Sequence, residues 1–570
     1  MNNILRIDMK NLSGIWEGVP EAYQLLGGRA LTSRLVSEEV KPSCDALGPE
    51  NKLVIAPGLL GGTTVTCSGR LSIGAKSPLT GGIKESNAGG TTAIQLAQSG
   101  IRALVLEGQA ANNELYLLVI DGNEVTFKSA EDYKGMGNYP LAARLRQEYG
   151  EKAALITIGS AGELGLPTAC IANVDMEGRP SRVNGRGGLG AVMGSKGVKA
   201  IIVKNADKQT LKGVDEEKFK ESSKKIATAI MENPITKVYS DYGTSSLVDV
   251  ANNLGCLPTK NFSAGNFDQA EKINGEALKS LILERGGKGK TSHACMPGCI
   301  IKCSNIVPDQ KGEEIVAPLE YETIGLMGSN CGIGSIDKIA ELNYIANDIG
   351  IDTIEAGAAI GVAMEAGVIS WGDADAVIKT LKGINDGNVL GRLLAFGAVM
   401  TGKVLGVSRV PAVKGQSIPA YDPRSLKGLG VTYSISPMGA DHTAGTTLRA
   451  PVDHSKPEGQ VVASKNAQIN VTVFDMLGLC MFTMATLINH KELIGDTVSS
   501  FTGKNVTFED LQGISRQTLL REIDFNVNAG IIQNDLPGFF RTESLSPKST
   551  VFDVPQEAME EIYLELKEGN

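Results

Sequence analysis

Three cysteines fall within nine residues in the stretch His293-Ala294-Cys295-Met296-Pro297-Gly298-Cys299-Ile300-Ile301-Lys302-Cys303, and a fourth candidate, Cys480, lies far downstream. No other feature constrains the chain so tightly, because a short loop that aims several sulfurs at one point wraps one inorganic centre. An iron–sulfur cluster and a structural zinc ion both suit such a set. The remaining reading is three unrelated buried thiols, since free cysteine is often buried. If Cys480 joins the set, the C-terminal part of the chain must fold back onto the middle.

At 570 residues the chain has room for about three to four domains. Its hydrophobic content of 42% is enough for real cores. The net charge of −9, with signs mixed throughout, argues against a nucleic-acid-binding surface. The first residues carry no charged leader followed by an apolar stretch, and no apolar run reaches membrane-spanning length. A soluble, cytoplasmic protein is expected, with no membrane or nucleic-acid partner. Nine cysteines in such a chain favour metal or thiol roles over a disulfide framework.

Short apolar runs of strand length appear at residues 4–9, 52–56, 103–106, 115–120, 153–157 and 200–203. Asp121-Gly122-Asn123 reads as a hairpin turn between two strands, and residues 139–149 as a helix. From about residue 208 the pattern turns helical, at 216–231, 335–349, 374–384 and 389–404. Ser335 caps one of these helices and Gly350 stops it; Asp352-Thr353-Ile354-Glu355 then has the form of a capping box. Residues 474–490 are apolar on nearly every side and read as a buried helix, 511–527 as a further helix, and 535–541 as an irregular segment docked on the body. The expected class is α+β. A β-rich α/β N-terminal domain (1–207) precedes two mainly helical domains (208–409 and 410–570).

Glycines cluster at 57–90, 185–197 and 415–445, which signals tight turns or close backbone approach. Gly185-Arg186-Gly187-Gly188-Leu189-Gly190 fits the dinucleotide-binding glycine pattern, but a polar loop (176–184) precedes it where that fold requires a strand. What survives is a glycine-rich turn into a helix, whose free N–H groups suit a phosphate, with Arg186 as a bidentate donor. A second such turn is Ser86-Asn87-Ala88-Gly89-Gly90, with Arg70 available to it. A third runs from Lys414-Gly415 to Asp422-Pro423-Arg424 and Lys427-Gly428-Leu429-Gly430. His442 has an acidic neighbour in a glycine-rich setting, and Glu320 and Glu322, two apart, share one side of an expected strand as candidate proton-transfer groups. Asp475 sits at an apolar helix start and needs a partner.

Taken in series, these residues resemble the aldehyde ferredoxin oxidoreductase family of tungsten (sometimes molybdenum) bis-pterin enzymes. The resemblance runs over essentially the whole chain. It is carried by Leu26-Gly27-Gly28-Arg29-Ala30-Leu31, Ser86-Asn87-Ala88-Gly89-Gly90, residues 186–196, the cysteine stretch, Pro318-Leu319-Glu320-Tyr321-Glu322-Thr323, Asn347-Asp348-Ile349-Gly350-Ile351-Asp352, residues 421–442 and Asp475 through Cys480.

The resemblance implies a [4Fe–4S] cluster held by Cys295, Cys299, Cys303 and Cys480, and a tungsten or molybdenum ion bound by two pterins whose phosphates a magnesium ion bridges. Asn87 and the Gly187 carbonyl would meet the magnesium. Arg70 and Arg186 would bind phosphates, with Gly89, Gly90 and Gly188 beside them. Asp352, Asp475, Lys414 and Leu479 would contact the pterins. Glu322, with Glu320 as its alternative, and His442 would move protons. The implied reaction is oxidation of an aldehyde to a carboxylic acid, with ferredoxin or a separate iron–sulfur subunit taking the electrons. Reduction of carboxylic acids or aromatic acyl thioesters on the same cofactor is the alternative within the family. A zinc-containing, nucleotide-binding, non-redox enzyme and a non-catalytic electron-transfer subunit stand outside it.

Three features depart from the family pattern. The cysteines are spaced C-x3-C-x3-C instead of C-x2-C-x3-C, so a local backbone change is expected. Asn347 stands where an Asp opens the pterin motif. Glu341-Leu342-Asn343-Tyr344 replaces the E-x-x-H stretch, so a metal-bridged homodimer is not expected, and a hetero-oligomer would rest on other contacts.

Overall fold

The structure, a computed structural model, describes residues 3–204 and 210–568. The expected boundary at 207/208 lies outside the described residues. Twelve strands build the N-terminal part: β1 (Asn3–Asp8), β2 (Ser13–Gly18), β3 (Leu53–Pro57), β4 (Leu71–Lys76), β5 (Ile83–Ala88), β6 (Ile101–Glu107), β7 (Tyr116–Asp121), β8 (Glu124–Ser129), β9 (Ala154–Thr157), β10 (Ile171–Asn173), β11 (Arg182–Asn184) and β12 (Val198–Val203). They form two six-stranded sheets, ordered β2-β1-β6-β3-β4-β5 and β11-β10-β9-β12-β7-β8. Only β1/β6 and β7/β12 pair in parallel.

The sheets pack face to face through Leu5, Ile7, Leu104 and Leu106 on one side and Leu118, Ile120, Ile156 and Ile201 on the other. The alternate residues Ala103 and Val105 meet Leu31, Leu35 and Val36 of the helix Gly28–Glu39. Leu117, Val119 and Ile202 meet Leu141 and Leu145 of the helix Asn138–Tyr149. Both faces of each central strand are therefore covered, which is why these strands read as continuous apolar runs. The edge strands β5 and β11 are joined by Asn184, whose amide donates to the carbonyls of Leu71 at 3.0 Å and Ser86 at 2.6 Å. That seam forms one wall of the site.

The remainder is mainly helical. An apolar cluster extends from Ala161 and Leu166, in the segment between β9 and β10, through Leu326, Ile339 and Ile360 to Leu519, Phe552 and Met559, so these helices share a core with that segment of the N-terminal part. The helix Ile336–Ile349 begins at Ser335, which accepts from the Lys338 amide, and ends at Gly350 in the left-handed region (φ +83°). Asp352 caps Thr353–Glu365 through the Ile354 amide, but Glu355 does not complete a capping box. It accepts instead from Ser417 N (2.8 Å), Ser417 Oγ (2.6 Å) and Ala398 N (3.1 Å). The same carboxylate divides the helix expected at 389–404 into Val389–Leu394 and Ala398–Leu405, with Gly397 (φ +92°) at the break.

Two other expectations are corrected. Glu320 and Glu322 do not lie on a strand: Glu320 precedes the helical turn Tyr321–Thr323, which continues into a wider turn at Ile324–Gly328. The apolar stretch 474–490 is not one helix either. The helix Gln460–Leu477 stops at Gly478 (φ +77°), the chain runs extended through Cys480, and helix resumes at Met484–Leu487.

The stop at Gly478 has a packing cause. Leu59 N donates to Met476 O (3.0 Å), Leu60 N to Leu477 O (3.1 Å) and Arg70 N to Gly478 O (3.1 Å), while Cys480 N donates to Cys67 O (2.9 Å). Here two backbones touch, and a Cβ placed on Gly58 would fall on the backbone of Gly478. Gly58→Ala is expected to lower the thermal midpoint by the equivalent of about 1–3 kcal/mol, since no flexible side chain can yield. Gly18→Ala, where a Cβ meets open space, serves as the near-neutral control.

Candidate active site

The cysteine loop follows the strand Lys290–His293 and is pressed under the second glycine turn. Gly90 N donates to Cys295 O at 3.1 Å, and a Cβ on Gly89 would stand 3.2 Å from Cys295 Sγ. The sulfurs of Cys295, Cys299, Cys303 and Cys480 lie within electrostatic reach of one another. The neighbouring Cys299 sulfur and then burial raise the Cys295 thiol well above its ordinary value; burial pushes Cys480 up to about 12. Without a metal these four thiols stay protonated, so the set suits a cationic cluster that displaces their protons. Between Cys295 and Cys299 the chain turns at Gly298, which is exposed with φ +75°. Its carbonyl accepts from Cys67 N (3.2 Å) and Thr66 Oγ1 (2.6 Å).

Beside the thiols opens a polar cavity of about 320 Å³. Arg70, Asn87, Gly89, Arg182, Arg186, Asp352, Glu320, Glu322 and His442 line it, together with Cys295, Cys303 and Cys480. Four of its buried polar atoms have no hydrogen-bond partner among the described residues: Ser181 Oγ, Arg182 Nε, Glu322 Oε1 and His442 Nδ1. Each such atom costs about 1–3 kcal/mol if nothing meets it. Three arginines and unsatisfied donors suit an anionic, heteroatom-rich cofactor, so the residues present fit the group that the sequence implies.

A second cavity of about 400 Å³ adjoins the first, and Glu320, Glu322, His442, Met481 and Phe482 line both. Its other walls include Tyr239, Leu247, Tyr321, Tyr421, Met484 and Ile488. At the junction His442 Nε2 lies 3.5 Å from Glu322 Oε1, and Glu322 Oε2 accepts from Ala420 N at 2.8 Å. Burial raises the Glu322 carboxyl above its usual range, against the pull of His442. A carboxyl shifted toward neutrality beside an imidazole can both take and return a proton. Glu320 is engaged differently, accepting from Thr244 Oγ1 at 2.7 Å.

Buried charge surrounds the polar cavity. Arg186 donates to Asp352 (3.2 Å), Ala440 O (2.6 Å) and Ser417 O (2.7 Å), with Glu355 at 3.6 Å. Burial acts to raise Asp441, but Lys84, at 2.6 Å, and Arg186 outweigh it and hold Asp441 far below the usual range. Arg70 grips both the side chain and the carbonyl of Asn87, whose amide reaches Asp475 at 3.0 Å. Asp475 also faces Arg29 at 3.7 Å. Burial and then the Glu85 charge raise its carboxyl.

The other sequence-derived residues sit around this cavity without lining it. Cys299 lies against Cys295 and Cys67. The Gly187 carbonyl accepts from Ser77 Oγ at 2.7 Å, and Gly188 (φ +73°) opens the helix Leu189–Ser195. The segment before that turn is β11, so its last three residues are strand and not loop. Leu479 is buried in the apolar cluster around the cysteine loop. The Lys414 ammonium donates to Ser434 O, and burial lowers it to about 7. Arg182, Ser181 and Glu355 were not singled out from sequence. Arg182 and Ser181 lie in a polar stretch with no periodic signal, and Glu355 was absorbed into a capping motif.

Residues 4–205 match the family model "Aldehyde ferredoxin oxidoreductase, N-terminal domain", and residues 221–567 match "Aldehyde ferredoxin oxidoreductase, domains 2 & 3". The chain belongs to the aldehyde ferredoxin oxidoreductase family. It is 31% identical over 536 residues to the tungsten-containing aldehyde ferredoxin oxidoreductase of Pyrococcus furiosus, covering 90% of this chain and 85% of that one. The enzyme of the same name from Thermococcus kodakarensis matches at 31% over 535 residues, with the same coverage of both chains. The WOR-like subunit of an aliphatic sulfonate oxidoreductase from Pyrococcus furiosus is 28% identical over 473 residues, 74% of this chain and 71% of that one. Among solved structures, the active-site complex BamBC of benzoyl coenzyme A reductase, in complex with 1,5-dienoyl-CoA, shares the fold. Its TM-score is 0.80 at 18% identity, covering 100% of this chain and 94% of that one.

This member of the aldehyde ferredoxin oxidoreductase family is thus an enzyme of the oxidoreductase class, which sets aside the non-redox zinc reading. At the altered E-x-x-H stretch, Tyr344 stacks on Tyr139 with ring centroids 4.6 Å apart, and Glu341 pairs with Lys382 at 2.9 Å. Removing Glu355 strips three donors of their acceptor and leaves Arg186 short of a carboxylate. Glu355→Ala is expected to lower the thermal midpoint by the equivalent of about 3 kcal/mol or more. The surface change Glu341→Ala should stay within about 0.5 kcal/mol.

Proposed function

We propose that the enzyme oxidises aldehydes to carboxylic acids on a tungsten (or molybdenum) bis-pterin and passes the electrons through a [4Fe–4S] cluster to ferredoxin or a separate iron–sulfur subunit. The observation that carries this reading is the meeting of an apolar cavity with an arginine-lined polar one at the Glu322–His442 pair, beside four converging cysteines. The tungsten assignment is supported by the relatives that are named for it. Cys295, Cys299, Cys303 and Cys480 would hold the cluster. Arg70, Arg182 and Arg186 would bind the pterin phosphates, Asn87 and the Gly187 carbonyl their magnesium ion, and Asp352 and Asp475 the pterin rings. A cytoplasmic location, where cysteines stay reduced, suits the thiol set. When bound, the metal–pterin group would supply two-electron redox chemistry and the cluster one-electron transfer.

The protein's part is position and proton transfer. The overall change adds one water to an aldehyde and releases two protons and two electrons. The apolar walls Tyr239, Leu247, Tyr421, Met484 and Ile488 receive the substrate's carbon chain or ring and exclude water around it. That lining favours aromatic or branched aldehydes over small hydrated ones. Glu322 takes a proton as the carboxylic acid forms, and His442, 3.5 Å away, passes it on.

The test is turnover of an aldehyde panel by anaerobically purified enzyme with a low-potential dye as acceptor. Aldehyde oxidation supports the reading. Reduction of carboxylic acids or aromatic acyl thioesters with no aldehyde oxidation would assign the reductive alternative. His442→Ala should lower kcat by about 10² or more while metal content stays near normal. Glu322 acts deprotonated, and burial raises its pKa, so activity should rise with pH later than an ordinary glutamate would dictate. Glu322→Gln should remove that acidic limb of the pH profile along with most turnover.

A further inference from the structure

A separate pocket of about 420 Å³ carries charge of one sign only. Arg102, Lys212 and Lys504 line it, and among the described residues no carboxylate does. It shares no lining residue with the two cavities of the candidate active site. Three segments meet there: the loop before the helix Gly28–Glu39, residues 211–212, and the end of the helix Lys491–Thr502. Val214 N donates to Phe501 O at 3.2 Å and Asp215 N to Ser500 O at 3.0 Å. These bonds occupy carbonyls of the helix end, whose dipole would otherwise oppose an anion.

A bulge brings Arg102 to this pocket. Asn3 pairs with Ile101 and Ile4 with Ala103, so Arg102 is the extra residue of β6 and leaves the strand's alternation. The residue is only 8% exposed. Its Nη1 donates to Leu26 O at 3.2 Å and its Nη2 to Gln24 O at 3.5 Å, while Nε has no acceptor. Five arginines are buried among the described residues. Arg29, Arg186 and Arg424 pair with carboxylates at 2.8, 3.2 and 2.6 Å, and Arg182 opens on the cofactor cavity. Arg102 alone has neither. Burial lowers its guanidinium to about 10, so it is still charged at neutral pH. A buried charge without a partner is costly, and an anion entering the pocket removes that cost.

The surroundings suit a phosphate group. Lys504 is exposed and has no carboxylate at ion-pair distance among the described residues; Lys212 is shared with Glu216 at 3.2 Å. Gln24 adds a carboxamide. A guanidinium fork with two ammonium groups beside it matches an anion with several acceptor oxygens and more than one charge. Leu25, Leu211 and Phe501 supply apolar surface for an organic remainder. We propose that this pocket binds a phosphate group, free or carried on a small organic molecule, with Arg102 as its buried counter-charge and Lys504 at its rim. Leu25 and Phe501 also pack against the apolar cluster around the cysteine loop, so a bound phosphate braces the outside of the thiol site.

Isothermal titration of the purified, cofactor-loaded enzyme tests this, with inorganic phosphate, glycerol 3-phosphate and acetate as probes and ionic strength held constant with chloride. The wild type should show one saturable phosphate site per chain that acetate does not fill, and its thermal midpoint should rise with phosphate. Arg102→Met should weaken phosphate binding by about tenfold or more, the worth of a charge-assisted hydrogen bond. Lys504→Met should weaken it by about two- to fivefold, as for an exposed ion pair. Tighter binding of glycerol 3-phosphate assigns an organic ligand; equal or weaker binding assigns free phosphate. Absence of saturable phosphate binding, or acetate binding as tight as phosphate, overturns the proposal. So does undiminished affinity in Arg102→Met, which would put the phosphate in the cofactor cavity. If Arg102→Met fails to fold, the exposed Lys504→Met decides, and unchanged affinity there is likewise fatal.

Discussion

Four backbone hydrogen bonds between residues 59–70 and 476–480 govern the rest of the site. They tie the first sheet to the end of the helix Gln460–Leu477 and allow the chain to emerge from it with Cys480 turned toward the cysteine loop. They also fix Asp475 next to Asn87 and Arg70, and they hold Cys67 against Gly298. The contact is possible because Gly58 and Gly478 meet without side chains. Segments from both ends of the chain thereby close on a loop from its middle. A site assembled from parts so distant in sequence cannot form until the fold is complete, so cofactor loading and folding are coupled.

The second organising force is electrostatic. Arg29, Lys84, Arg186, Asp441, Glu355 and Glu522 are all buried, and each is paired. Buried ion pairs contribute little net stability. Their concentration around one cavity is explained by what the cavity must hold. Arg186 is braced by Asp352, Ser417 and Ala440 and still faces the cavity, and Arg182 keeps a donor free there. Such fixed charges are preorganised and need not rearrange when a phosphate arrives. The apolar cavity beyond Glu322 and His442 has the opposite character, and that contrast defines which end of the site meets cofactor and which meets substrate.

Much of the fold was legible in the sequence where one physical rule acted alone. Strands covered on both faces read as apolar runs, and helices with a polar cap and a glycine stop read with near-correct bounds. Reading failed where tertiary contact overrode the local pattern. Residues 474–490 are apolar throughout, and only Gly478, pressed on Gly58, shows why they are not one helix. Glu355 has the position of a capping-box acid, but the amides of Ser417 and Ala398 and the charge of Arg186 claim it. Strands β4, β5 and β11 escaped notice because small and polar residues interrupt them: Ser72, Gly74 and Lys76 in β4, Lys84 through Asn87 in β5, and Arg182 and Asn184 in β11. The cysteine spacing identified the thiol loop but gave no sign that Cys67 packs against it through backbone hydrogen bonds.

The central claim is that the four cysteines hold an iron–sulfur cluster beside a metal–pterin centre. Elemental analysis of anaerobically purified protein, with its electronic spectrum, tests it most directly. The account predicts a brown protein with about four iron and four sulfide per chain, together with tungsten or molybdenum and extractable pterin. A colourless protein that carries zinc at the cysteines, with neither iron nor pterin, would contradict it.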